Sequence, residues 1–360
     1  MEVTGVAQRD AWRGRRLPPV ERVRDGLWSV PLPNRHSGIR YVLCYLVELD
    51  EGLAVVDPGW NDDESWRALE AGLTALGRRP AEVRSIVVTH SHPDHLGGAR
   101  RLRAESGAPL LVHEAEAPLI AEEPGNPTRL IARTAPWLAR HGSSTEEIAS
   151  FYSDRAELVA FSDMPRPDAY LVDGQRLPWP GREVYAMHTP GHTPGHLCLH
   201  APADRLLLTG DHLLPRITPT VSAFPGSGRN PLESYLDSLA KSASVDVDEV
   251  LPAHEYRFSG LQDRVATVLH HHEEREAEVL TLLRDAGEPL TAQQLSPRLT
   301  WSRPWEEIQP AMRRAALAET VAHLVLLESR GALRQVTDPT DGSGEPDEDP
   351  VLRWEPVTAR

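Results

Sequence analysis

Cysteine is nearly absent. Cys44 and Cys198 are the only two in 360 residues, which excludes a disulfide scaffold and fits a reducing compartment. No apolar run reaches the roughly 18–20 residues that a membrane-spanning helix needs. The first 25 residues mix arginines with acids and carry no apolar stretch of the kind a secretory signal requires, so a cytoplasmic location is expected. Positive charge is also scarce: 38 Lys and Arg face 53 Asp and Glu, a formal charge of −15. Affinity for phosphate comes mainly from Lys and Arg, so nucleic acid is disfavoured as a partner, as is a membrane, and a small molecule is the expected substrate. What is plentiful is proline, 32 residues, which argues for rigid loops and sharply ended elements and against a long coiled coil.

The length predicts two domains, or one large domain with an appendage. After an N-terminal arm (1–26), short apolar runs at 27–31, 41–49 and 53–57, divided by turn residues, read as strands. Trp66, Leu69, Leu73 and Leu76 recur at spacings of three and four and predict a helix over about 62–76. Strands follow at 83–89 and 110–112. Residues 114–167 read as an irregular helical insertion, which either covers a site or serves as scaffold. Strands return over 169–214, followed by a helix at 231–242 and a strand at 249–251. A long helix at 262–286, a second at 306–330 and a strand at 332–336 suggest a small module of winged-helix type. Its charge is near neutral, six Arg against five Glu from 288 to 336, so packing or homodimerisation suits it better than DNA binding. Residues 337–350 hold six acids and no base, and the tail 337–360 is expected to be disordered.

The chemistry concentrates in THSHPDHLGG, residues 89–98. Alternate residues at a strand end project to one side, so His90 and His92 can meet one cation, while the next turn redirects Asp94 and His95 to a second position. Imidazole with carboxylate suits zinc, iron or manganese. Three further segments end apolar runs with donors: TPGHTPGH with His192, LLLTGDH with Asp211, and VLPAHEY with His254. Each is weak alone, but together they place donors along one edge of a sandwich.

In these residues the chain resembles the metallo-β-lactamase-fold hydrolase superfamily, over about residues 27–260. The resemblance implies an α+β fold, a four-layer αββα sandwich with two divalent metals on one edge, zinc foremost. It implies His90, His92 and His192 as ligands of the first metal and Asp94, His95 and His254 as ligands of the second. Asp211 matches the bridging carboxylate, and Asp57, in VVDPG, matches a strand-end aspartate that supports the ligand loop. Two metals lower the pKa of a bridging water, giving hydroxide at neutral pH, with Asp94 and Asp211 in the catalytic roles. Within the superfamily, Asp211 argues against the true zinc β-lactamases, and His92 stands where flavodiiron proteins carry glutamate. Only 42 residues separate Asp211 from His254, too few for the insertion of the nucleic-acid-cleaving branch. Glyoxalase II-like thioesterases, lactonases and hydrolases with a C-terminal winged helix remain. The expectation is cleavage of a thioester or related activated ester, with a lactonase and a ribonuclease or phosphodiesterase as alternatives.

Other residues carry weaker expectations. His196 falls beside the site in a supporting place, and His212 and Tyr256 either line the pocket or pack into the sandwich. His270, His271 and His272 lie about 100° apart on a helix and cannot converge on one ion. Trp137, Phe151 and Tyr152 either contact substrate or form the insertion's own core.

Overall fold

The computed structural model describes residues 1–36, 38–120, 126–337 and 350–357. Two sheets face each other. The first has seven strands in the order Glu21–Arg24, Leu27–Pro33, Tyr41–Glu48, Leu53–Val56, Val83–Val87, Leu110–His113 and Ala169–Leu171. Its first four strands pair antiparallel and its last three join in parallel. The second has six: Glu2–Val3, Phe258–Ser259, Glu249–Pro252, Leu206–Gly210, Leu197–Ala201 and Tyr185–His188.

Alternation along the central strand explains the layering. Tyr41, Leu43, Tyr45 and Val47 point between the sheets, where they meet Leu197, Leu199, Leu206, Leu208 and Leu251. Val42, Cys44 and Leu46 point outward, against Trp66, Leu69 and Leu73 of the helix Asp63–Ala75. A strand covered on both faces reads as a continuous apolar run, as this one does. The opposite outer face packs Cys198, Leu207 and Val250 against Leu232, Tyr235 and Leu239 of the helix Pro231–Ala243 and Val265 and Val268 of the helix Leu261–Ala286. The result is helix, sheet, sheet, helix, in an α+β fold. Cys198 is a fully buried hydrophobe.

The ends of the chain depart from expectation. The N-terminal arm joins the sandwich: Glu2–Val3 pairs with Phe258–Ser259, and Glu21–Arg24 pairs with the Leu27–Pro33 strand. Gln8 is buried between them, donating to Ser29 Oγ and accepting from the Arg257 amide, both at 3.0 Å. Of the tail 337–360, the described residues Thr337 and 350–357 do not lie outside the fold. Thr337 closes the strand Leu333–Thr337, and Leu352–Pro356 pairs with it antiparallel. Trp354 is fully buried and exchanges backbone hydrogen bonds with Leu290. The physical reason is local: Leu352 and Trp354 alternate on one face of a five-residue strand, a pattern hidden by the acidic average of the tail. The rest of the disorder expectation falls on residues 338–349 and 358–360, outside the described residues.

The helices Thr128–Arg140 and Thr145–Phe151 of the insertion contribute Leu138 and Phe151 to the core of the C-terminal module, beside Val279, Leu283, Leu317, Leu324 and Trp354. Trp137 and Tyr152 pack against the same cluster. In that module His272 is buried with Nδ1 3.3 Å from His323 Nε2, while His270 is solvent-exposed beside Glu273 and Glu274. Among the described residues no helix is long and apolar enough to cross a membrane.

Candidate metal centre

Parallel strands deliver their C-terminal ends to one edge, which is where open α/β sheets hold ligands. Val56 leads into Asp57, Val87 into the 89–95 loop, Gly210 into Asp211, and Pro252 into His254. The two sheets are stitched together there: the Leu43 amide donates to Ala253 O at 2.6 Å and the Leu197 amide to Thr89 O at 2.8 Å. Gly210 takes φ +50°, and a Cβ there would sit 2.8 Å from His196 Nε2, so the turn into Asp211 requires glycine.

The seven donors expected from the sequence come together in two groups. His90, His92, His192 and Asp211 form one, and Asp94, His95 and His254 the other. In the first, His90 Nε2 lies 2.9 Å from His92 Nδ1, and His192 Nε2 lies 3.3 Å and 3.1 Å from them. Nδ1 of His90 is 3.0 Å from Thr89 Oγ1 and Nδ1 of His192 is 2.7 Å from Thr220 O, so each spends its N–H there and turns a lone pair inward. Those two lone pairs face each other and His92 Nδ1, an arrangement that a cation among the three nitrogens would satisfy. Nitrogens on one tetrahedral ion bound at about 2.0–2.1 Å sit roughly 3.3 Å apart, close to these spacings.

The second group follows the same logic. Nδ1 of His95 donates to Asp57 at 2.9 Å, and Nδ1 of His254 to Tyr41 O at 2.8 Å. Their Nε2 atoms converge on Asp211 Oδ1, at 3.4 and 3.1 Å, while Asp211 Oδ2 faces His192 at 3.6 Å. Asp211 therefore gives one oxygen to each group. His95 Nε2, His254 Nε2 and Asp211 Oδ1 are buried without a hydrogen-bond partner, as an ion site would leave them.

Electrostatics separates the two groups. Burial, reinforced by neighbouring imidazoles, pushes His90 and His92 well below the usual histidine range and keeps them neutral. Burial acts the same way on His95, but Asp211, Asp94 and Asp57 outweigh it and raise its pKa to about 10. His254 is raised likewise, mainly by Asp211 against its burial. This half of the centre calls for positive charge.

Asp57 hydrogen-bonds the start of the ligand loop: Oδ1 accepts from the Thr89 amide and Oδ2 from Thr89 Oγ1, each at 2.8 Å. His196 is buried beside the site, its Nε2 accepting from the Asp211 amide at 3.2 Å. Both His212 and Tyr256 are buried among packed side chains. His212 turns into the core, 2.9 Å from Ser242 Oγ and against Tyr235, because the strand-end turn sends neighbours to opposite sides. Tyr256 is buried edge-on to Trp12, with ring centroids 6.3 Å apart. Three contributors went unread in the sequence. Asn34 donates to Asp94 Oδ2 at 3.2 Å, the Phe161 ring stands edge-on to His92 at 5.8 Å, and Glu116 lies between the ligand loops. None stands in a local pattern that marks it.

A four-layer sandwich with imidazoles and carboxylates gathered at the strand ends of one edge defines a class of metal-centred proteins. The profile of the metallo-beta-lactamase superfamily matches residues 37–254, and the chain belongs to that superfamily, whose members are metal-dependent hydrolases. A beta-lactamase domain protein from Burkholderia ambifaria superposes with a TM-score of 0.78 at 27% identity, covering 94% of each chain. A metallo-beta-lactamase family protein from Thermus thermophilus gives 0.75 at 26%, covering 93% of this chain and all of that one. A probable metallo-hydrolase of Bacillus subtilis is 26% identical over 81% of this chain and 89% of its own length. A linear primary-alkylsulfatase from a Pseudomonas strain is 25% identical over 67% of this chain, a match that spans 44% of that enzyme.

Proposed function

We propose that the chain hydrolyses a thioester or related activated ester of a small molecule, using two divalent ions held by His90, His92, His192, Asp94, His95, His254 and Asp211. The observation that carries this reading is the two-faced placement of Asp211, one oxygen toward each donor group. Five imidazoles and two carboxylates suit zinc, and also accommodate iron or manganese. Bound there, the ions would supply Lewis acidity and lower the pKa of water held at the site. The protein's own groups do the rest. Asp94 Oδ2 is engaged by Asn34, which leaves Oδ1 to take a proton and pass it to the leaving group. Phe161 presents an apolar edge beside His92.

The test couples metal content per chain to turnover of acetyl, butyryl and phenylacetyl thioesters of N-acetylcysteamine, before and after chelation. About two ions with chelator-sensitive cleavage is the expected result. Two ions with turnover of phosphodiesters or alkyl sulfates and none of esters or thioesters would overturn the substrate class.

A further inference from the structure

Glu116 stands on a single 3-10 turn, Glu114–Glu116, straight after the strand Leu110–His113, where the helical insertion begins. It is fully buried, and among the described residues no Lys or Arg neutralises it. Its two oxygens divide their work. Oε2 accepts from the Ser91 amide at 2.8 Å and from Ser91 Oγ, and Ser91 lies between His90 and His92. Oε1 accepts from Thr193 Oγ1 at 2.6 Å and the Gly195 amide at 2.7 Å, just after His192. A carboxylate has about four lone-pair sites, and here all four are taken.

A second observation makes the fit specific. A Cβ on Gly195 would stand 2.7 Å from both Cγ and the backbone nitrogen of Glu116. The TPGHTPGH loop can approach the carboxylate only because glycine stands there. Ser91 and Gly195 belong to loops from different sheets, and each carries ligands of the same donor group.

We infer that Glu116 is a positioning residue that clamps the His90–His92 loop to the His192 loop and so fixes the spacing of the three imidazoles around the first ion. The inference rests on the metal-centre reading proposed above. Glutamine cannot replace it: an amide has one oxygen, and its N–H groups would face two of the four donors. Groups that orient metal ligands typically account for about 10–100-fold in metal affinity.

The experiment measures loading of each ion by chelator competition on whole, folded protein. The two steps are assigned to the two donor groups with His92→Ala and His254→Ala, and folding is followed by circular dichroism and thermal melting. Glu116→Gln and Gly195→Ala should weaken the first ion about 10–100-fold. Leu69→Ala, which opens the outer core under the helix Asp63–Ala75 and removes no hydrogen bond to the ligand loops, should lower the melting temperature yet load both ions like wild type. Wild-type affinity in a folded Glu116→Gln protein, or an equal loss of affinity in Leu69→Ala, would overturn the clamp. Should Glu116→Gln fail to fold, Thr193→Val removes one donor at nearly constant shape: weaker loading supports the clamp and unchanged loading overturns it. Wild type that loads two ions yet cleaves no offered substrate would sink the hydrolase reading and leave the clamp to the loading data. Wild type that loads no ion after reconstitution would sink both.

Discussion

Asp57→Asn changes one atom and tests how the centre selects the tautomer of a ligand. In the native site Oδ2 accepts from both Thr89 Oγ1 and His95 Nδ1, while Oδ1 accepts from the Thr89 amide. Asparagine keeps its oxygen on the Thr89 amide and turns an NH2 toward His95. The imidazole then keeps a lone pair on Nδ1 and carries its proton on Nε2, the atom that must face the ion. Two consequences have separate magnitudes. Losing a charged acceptor for buried donors costs about 1.5–3 kcal/mol of folding stability. The wrong tautomer should weaken the ion at Asp94, His95 and His254 by about 10–100-fold. The first ion, held by His90 and His92, should be much less affected. Urea unfolding of metal-free protein reads the first effect, and chelator competition reads the second. An Asp57→Asn protein that binds both ions with wild-type affinity would refute the tautomer argument, whatever its stability.

Three more outcomes follow from the same geometry. His92→Ala should abolish most of the first ion's binding together with hydrolysis, read by elemental analysis and thioester turnover; full activity in metal-depleted mutant protein would contradict the mechanism. Trp354→Ala should destabilise the C-terminal module by about 3–5 kcal/mol, because a fully buried indole leaves a cavity that its neighbours cannot fill; a change below about 1 kcal/mol in urea would show that the hairpin adds little. Acid should also weaken the metal-free fold. Burial holds His141 and His323 down to about 4, and burial with the His323 charge holds His272 down to about 3. Below pH 6.5 the unfolded chain takes up protons that the folded chain refuses. The share of stability carried by these three histidines is therefore complete above that pH and is lost as the pH falls toward 4, at about 1.4 kcal/mol per histidine per pH unit, offset in part by Glu319, which burial raises to about 7. Equal urea midpoints at pH 7 and pH 5 would contradict it.

The donors were legible because metal ligands cluster at strand ends, and four short segments, each closing an apolar run, carried all seven. The layering was legible for a related reason: runs such as 41–49 are apolar throughout because both faces are covered. Glu116 was not, since one acid among the alternating acids of 114–116 has no spacing that separates a buried clamp from a solvated face. His212 stayed open between pocket and packing, because adjacency to Asp211 does not say on which side a neighbour leaves a strand end. The hairpin strand Leu352–Pro356 was obscured because its partner lies across a long acidic stretch, and pairing at that separation leaves no local period to read.

The shared core of the insertion and the C-terminal module bears on how this chain can be recombined. Leu138 and Phe151 are sequestered among side chains that lie more than a hundred residues further on. A chimera that exchanges residues from 261 onward with a homologue, but keeps the native insertion, would bring together two surfaces that were not selected for each other. Transplanting 114–167 and the module as one unit preserves the seam. The segment that begins at Glu116 would then carry its own anchorage to the ligand loops into the new host.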